Sequence, residues 1–257
     1  MTDPLPEAVP AATLVIFRDR AGGAPEVLMV ERAEGMAFAG GAMVFPGGRV
    51  DPGDRALAAT FGDGSAGDED DLAARVAAVR ETIEEAGLPI GVDPVPGPAA
   101  LAGLRGALHA GAPFGEALAA TGTALALDAL TPFARWRPAH RHARIFDTRF
   151  YIAQLPEDAP AASVDATENV RLVWATARGV LDDADAGRLR IIFPTRRNLE
   201  RLALFARFDE AVADARAHPI RTVTPWAETR DGERRLCIPD DLGYPVTSEL
   251  LTNATRG

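Results

Sequence analysis

Phe45-Pro46-Gly47-Gly48-Arg49-Val50-Asp51 and, after a gap, Arg80-Glu81-Thr82-Ile83-Glu84-Glu85-Ala86-Gly87-Leu88 are the stretches that decide the fold. In the first, Pro46 fixes φ and the glycines permit close or left-handed backbone, so a tight turn follows the short apolar strand Ala42-Met43-Val44-Phe45. The second closes a helix. Asp68, Glu69, Asp70 and Asp71 suit a helix N-terminus, where the dipole favours negative charge. Leu72, Val76, Val79 and Ile83 then recur at spacings of three and four, and Gly87 with Leu88-Pro89 ends the run. Glu81, Glu84 and Glu85 therefore share a face, with Arg80 one turn from Glu84 and able to brace it. Clustered carboxylates repel unless a cation compensates, and Mg²⁺ or Mn²⁺ are the hard ions that carboxylate and water suit. Taken alone, such a run also reads as a solvated helix face. The glycine turn before it and the Gly87 stop favour a site that holds metal against phosphate.

Working outward, Ala11–Phe17 and Glu26–Val30 read as a strand hairpin turned at Gly22-Gly23. Residues 54–67 are rich in Ala, Gly, Asp and Ser and read as a loop with a short helical piece around 55–59. A linker at 94–98 leads to helical segments at 101–109 and 114–120, broken at Gly111-Ala112-Pro113. Strands are expected from the 128–136 stretch, at 146–153 and at 170–174, and a helix at 176–186. Thr195 reads as the cap of one long helix through Ala213, with Leu199, Leu202, Leu204 and Phe205 on its apolar face. The tail from His218 carries four prolines and short strand-like pieces.

Composition narrows the function classes. At 257 residues, 25% charged and 47% apolar, the chain can bury a full core. A formal charge of -10 argues against nucleic-acid binding, which needs a basic footprint, but not against a small phosphorylated substrate at a locally reversed field. Its single cysteine, Cys237, excludes an intrachain disulfide framework and a cysteine zinc site. Residues 1–10 lack the basic charge of a secretion signal, and no apolar run approaches the roughly 18 residues of a membrane span. A cytoplasmic enzyme with no membrane partner is the expectation.

The two opening stretches resemble the Nudix hydrolase family. Its box is a glycine, a glutamate six residues on, then Arg-Glu-hydrophobic-x-Glu-Glu-x-Gly-hydrophobic. Gly48 matches the opening glycine, Arg80-Glu81 and Glu84-Glu85 the core, and Gly87-Leu88 the end, with Thr82 in a usually hydrophobic place. There are two departures. Asp54 stands where the first glutamate belongs, a shorter acid suited to capping or bracing the loop. Arg80 follows Gly48 by 32 positions rather than the family's 14, an insertion of 18 residues. That interrupted box is similar to the branch that includes the animal peroxisomal coenzyme A diphosphatase. The 45–51 turn, Phe146-Asp147-Thr148-Arg149-Phe150 and Pro194-Thr195-Arg196-Arg197-Asn198-Leu199 also look like that branch. The upstream motif of many coenzyme A-specific members is not seen.

The resemblance implies an α+β Nudix fold, a mixed β-sheet sandwiched between helices (an α/β/α sandwich). One domain would span 1–257, with an insertion at about 54–71, a helical insertion at about 98–125 and a C-terminal extension at about 218–257. A long-arm substrate pocket built by 54–67 and 94–125 would suit coenzyme A. The implied activity is metal-dependent hydrolysis of a diphosphate linkage in a nucleoside diphosphate linked to another moiety, coenzyme A or acyl-coenzyme A included, by water attack on phosphorus. Nucleotide-sugar, ADP-ribose or NADH-type dinucleotide hydrolysis is the alternative, and a non-catalytic nucleotide-binding module a further one. Glu81, Glu85, Glu84 and the carbonyl of Gly48 match the Mg²⁺ or Mn²⁺ ligands, with Glu84 a third ligand or base, and Arg80 orients the acids. Glu168, before the strand at 170–174, is the candidate general base, with Asp165 competing. Arg144, Arg149 and Arg137, in or beside the basic 135–144 stretch with Arg141, His140 and His142, are candidates to grip substrate phosphate. A solvated loop or a dimer contact is the alternative reading of that stretch. Arg196-Arg197 also reads as an anion contact. Trp136, Phe146 and Tyr151 read as core. Family members are often homodimers, although no exposed apolar helix shows it independently.

Overall fold

Leu14, Val15, Ile16 and Phe17 are buried without a break, as befits a strand covered on both faces. They lie in β1 (Val9–Arg20), which forms an antiparallel hairpin with β2 (Gly23–Arg32) through a turn at Gly22, φ 72. The structure, a computed structural model, describes residues 7–36, 39–64, 68–138, 145–164 and 169–254. After the hairpin come β3 (Met43–Val44), β4 (Gly47–Arg49), α1 (Pro52–Ala58), a 3₁₀ turn (Ala59–Gly64) and α2 (Glu69–Ala86). Next are β5 (Val92–Asp93), α3 (Pro98–His109), α4 (Phe114–Ala119), β6 (Ala124–Leu125), β7 (Thr131–Trp136), β8 (Phe146–Gln154) and β9 (Asn169–Thr176). The remainder is α5 (Ala177–Asp185), α6 (Phe193–Leu202), α7 (Phe208–Ala217), β10 (Thr222–Val223), β11 (Trp226–Arg230), β12 (Glu233–Cys237), β13 (Ser248–Leu250) and α8 (Leu251–Ala254).

Among the described residues the main sheet has eight strands in the path β10-β7-β8-β1-β2-β3, with β4 added beside β1 and β9 beside β2. It is mixed: β1–β8 and β7–β10 pair in parallel, the other pairs antiparallel. Alternation along the strands divides two cores. Leu14, Ile16, Leu28 and Tyr151 face the layer made by α1 to α4. Val15, Phe17, Val27, Met29 and Ile152 face the layer made by α5, α6 and α7. The α/β/α sandwich is thus written into neighbouring residues of the same strands.

α2 forms where its caps place it. Asp68 accepts a hydrogen bond from the Asp71 N–H at 2.5 Å, and Gly87 ends the helix in the left-handed region at φ 66. Leu72, Val76, Val79 and Ile83 are buried between it and the sheet. Two expectations change. The described part of the 54–67 stretch, 54–64, is helical, because Pro52 can open a helix and the Asp54 carboxylate accepts from the Asp51 N–H at 2.9 Å. The long helix from Thr195 is two helices. α6 begins before Thr195 with Pro194 in its first turn, and Glu210 accepts from the Ala206 N–H at 2.7 Å, starting α7 separately. Leu204, in the break, is exposed.

The tail folds back on the domain. β10 extends the main sheet beside β7, and Trp136 donates to the Tyr244 hydroxyl at 2.9 Å, which donates to Asn198 at 3.2 Å. β11, β12 and β13 form a small antiparallel sheet of their own.

Candidate active site

β4 brings the glycine turn against both β1 and α2. A Cβ on Gly47, φ 156, would lie 2.3 Å from the Ala12 carbonyl oxygen, so only glycine fits there; one on Gly48 would meet Oε1 of Glu81 at 2.3 Å and displace that carboxylate. The Gly47 N–H donates to Glu85 at 2.9 Å, closing the two halves of the split box on each other. Arg80 is the clasp. Its guanidinium donates to both Asp54 oxygens at 2.9 and 2.8 Å, to Glu81 at 2.9 Å, to Glu84 at 3.3 Å and to the Arg49 carbonyl at 2.9 Å. Asp54 is 1% exposed, so the shorter acid serves both as a brace for Arg80 and as an acceptor for the loop backbone.

The electrostatics are those of a crowded acid site. Burial pushes the Glu81 carboxyl up to about 8; Arg80 opposes this, while Glu85 and Glu84 add to it. Burial works against the charge of Arg80, but the bond to Asp54 and the charges of Glu81, Asp54 and Glu84 outweigh it and hold its proton more tightly than usual. Among the described residues no group of three or more His, Cys, Asp or Glu side chains is gathered closely enough to enclose a metal ion. Arg80 Nη1 bridges Glu81 and Glu84, and the Gly47 N–H holds Glu85, so the three acids line one wall.

That wall opens on a cavity of about 520 Å³, within the range of small-molecule sites. Gly47, Gly48, Arg80, Glu81, Glu84 and Glu85 line it; Trp136, Phe146, Phe150, Ile192 and Pro194 give it an apolar part. Phe146 and Trp136, read from sequence as core, thus also face the cavity, whereas Tyr151 is fully buried and donates to Asp71 at 2.8 Å. Burial, with the Asp71 charge, raises the Tyr151 pKa.

Of the arginines expected to grip phosphate, the two described ones, Arg149 and Arg137, do not line the cavity. Arg149 is ion-paired to Asp71 at 3.3 Å and Asp68 at 3.5 Å at the start of α2, and does not line the cavity. Arg137 does not line it either, and its backbone N–H bonds to Val223. Arg196 pairs with Asp185, and Arg197 is buried against Glu200 and Glu249, so neither arginine lines the cavity, although Thr195 of the same helix start does. Arg144, Glu168 and Asp165, with His140, Arg141 and His142, lie outside the described residues. The 54–67 segment lines no part of the cavity among the described residues, and 94–125 contributes only His109. Those segments pack instead on the outer side of α2, through Ala58, Leu101, Leu104, Phe114 and Leu118.

Arg32 and His109, both lining the cavity, escaped the sequence reading. Arg32, at the end of β2, comes within 4.0 Å of Glu85. His109 sits at the end of α3. The available signals were the charge that breaks the apolar run of β2 and the four-residue spacing of Arg105 and His109.

Comparison with known proteins agrees with the site. No protein-family model and no curated protein matches the chain. Solved structures do. The crystal structure of a NUDIX hydrolase from Alicyclobacillus acidocaldarius matches at 32% identity over 80% of this chain and 96% of that one, with a TM-score of 0.69. More distantly, the NUDIX domain of Shewanella oneidensis NrtR complexed with ADP ribose matches at 15% identity, over 77% of this chain and 90% of that one, TM-score 0.43. A C. elegans Ap4A hydrolase matches at 18%, over 69% and 87%, TM-score 0.38; neither of these two bears on this chain's substrate. With the split box closed around Arg80 and a relative this similar over most of both chains, the protein belongs to the Nudix hydrolase family.

Proposed function

We propose that the protein is a metal-dependent pyrophosphohydrolase, cleaving a diphosphate linkage between a nucleoside and another moiety by water attack on phosphorus. The observation that carries the reading is the acid wall of Glu81, Glu84 and Glu85 beside the glycine turn, facing a cavity of substrate size. By chemistry, though not by their present spacing, the donors suit a hard divalent cation, Mg²⁺ or Mn²⁺: three carboxylates and the Gly48 carbonyl are oxygen ligands, and a Cβ at Gly48 would displace the Glu81 carboxylate. Such a metal would neutralise charge on the transferring phosphoryl group and lower the pKa of water. Arg80 fixes the carboxylates and keeps their mutual repulsion from spreading them further. Arg32 and Arg49, both lining the cavity, supply positive charge for the substrate's phosphates. Glu84 serves as a third ligand or as base. Glu168, which precedes the strand at 170–174 in the sequence, is proposed as the general base, with Asp165 competing.

Coenzyme A or its thioesters head the substrate list on the strength of the split box alone, ahead of nucleotide sugars, ADP-ribose and NADH. The test is a panel of these compounds with Mg²⁺ or Mn²⁺, products weighed to identify the bond cut, against Glu84→Gln. Wild type should release phosphate-bearing products, and the variant should be slower by on the order of 100-fold or more. Binding of a nucleotide with no turnover under either metal would instead make the chain a non-catalytic module.

A further inference from the structure

The last turn of an α-helix leaves four carbonyls without helical partners, and a buried end must find others. In α2 every one is answered. The Ile83 carbonyl accepts from the Gly87 N–H at 3.0 Å, and that of Ala86 from the Ser163 N–H at 2.9 Å. Between them, the Glu84 carbonyl accepts from Arg105 Nε at 2.9 Å and meets His109 Nε2 at 3.1 Å, while that of Glu85 accepts from Arg105 Nη2 at 3.2 Å. Arg105 continues past the helix, donating to the Ser163 hydroxyl at 2.8 Å and its carbonyl at 2.9 Å. Its guanidinium thus ties three things together: the backbone of the two carboxylates, α3 and the segment at Ser163.

We propose that Arg105 is a positioning residue for Glu84 and Glu85, fixing the turn that presents them to the cavity. A planar fork with donors on several sides suits this role, and positive charge at a helix C-terminus complements the helix dipole. The neighbouring geometry is correspondingly tight: a Cβ on Gly87 would come within 3.1 Å of Arg105 Nη1 and 3.2 Å of the Ser163 hydroxyl. The segment that contains α3, read from sequence as an insertion that builds a substrate pocket, acts here as a clamp on the box helix. The proposal rests on the reading of Glu84 and Glu85 as site carboxylates, and its test is separate from turnover.

The experiment compares wild type, Arg105→Ala, Arg105→Lys and Ser163→Ala by two readouts: amide hydrogen exchange over residues 84–88 in the metal-free protein, and Mn²⁺ binding followed by the electron paramagnetic resonance of the free ion. Arg105→Ala should exchange faster across that turn and bind Mn²⁺ about tenfold more weakly, as loss of an outer-shell partner does. Arg105→Lys should recover part of both effects, and Ser163→Ala should show a loss of about twofold in the same direction. Should Arg105→Ala fail to fold, the lysine and Ser163 variants decide. Unchanged exchange and unchanged Mn²⁺ binding in the folded variants would overturn the positioning role. A wild type that binds no Mn²⁺ would overturn the metal-site reading, while the exchange data would still judge whether Arg105 holds the turn.

Discussion

Arg80 and Asp54 show how one substitution within a recognisable pattern is absorbed. Asp54 is one methylene shorter than glutamate, yet it meets Arg80 through two hydrogen bonds and remains almost wholly buried. Breaking a buried pair leaves a charge without its counter-ion, which costs far more than an exposed pair ever contributes. Asp54→Asn should therefore lower the unfolding free energy by about 3 kcal/mol, read by urea denaturation. A loss below about 1 kcal/mol, the scale of an exposed pair, would mean that Arg80 is held well enough by Glu81, Glu84 and the Arg49 carbonyl. The acids and the arginine were legible from residue type and spacing. Arg32 and His109 were not, since each reaches the cavity only through the packing of an element whose own sequence says nothing about a site.

At the scale of elements, legibility followed the strength of local signals. α2 has an acidic start, an apolar period and a glycine stop, and it forms between Asp68 and Gly87 as read. α1 lacks an apolar period, and its start depends on the Asp51-Pro52 junction, so composition disguises it as loop. Between α6 and α7 the opposite happens: apolar residues continue across the break, and the interruption depends on Glu210 binding the Ala206 N–H, which no period reveals. The Asp68 cap lies at the far end of α2 from Glu84 and Glu85. Asp68→Ala should cost about 1 kcal/mol of stability in thermal or urea unfolding and leave the hydrolytic rate of the folded enzyme unchanged. A rate that fell with the cap would show that α2 does not transmit a fixed geometry from one end to the other.

Across the whole molecule, the sheet separates the box helix from the layer that anchors the tail, and the two layers carry different electrostatics. In the second, burial pushes Glu200 up to about 7, with Arg197 and Arg196 opposing and Glu249 and Asp185 adding. The folded state then holds a proton that the unfolded chain gives up near the ordinary glutamate value of 4.5. Native protein binds more protons between those two values, so this group's contribution to stability is present below about 4.5, falls as pH rises to about 7, and is level above that. Glu200→Gln should gain on wild type in unfolding temperature between pH 5 and pH 8, and a constant difference over that interval would refute the assignment. The parallel pairing of β1 with β8 and the return of β10 to the sheet edge, neither visible in local sequence, are what bring these layers into register. The split box, finally, has a cost that can be stated in chain entropy. For a flexible tether, lengthening the span from the family's 14 residues to the 32 between Gly48 and Arg80 adds only about 0.7 kcal/mol to closure. The Asp54–Arg80 pair, which ties the near end of the detour to its far end, is large enough to offset that, so the interval between them is where the chain's length can drift while the site stays in place.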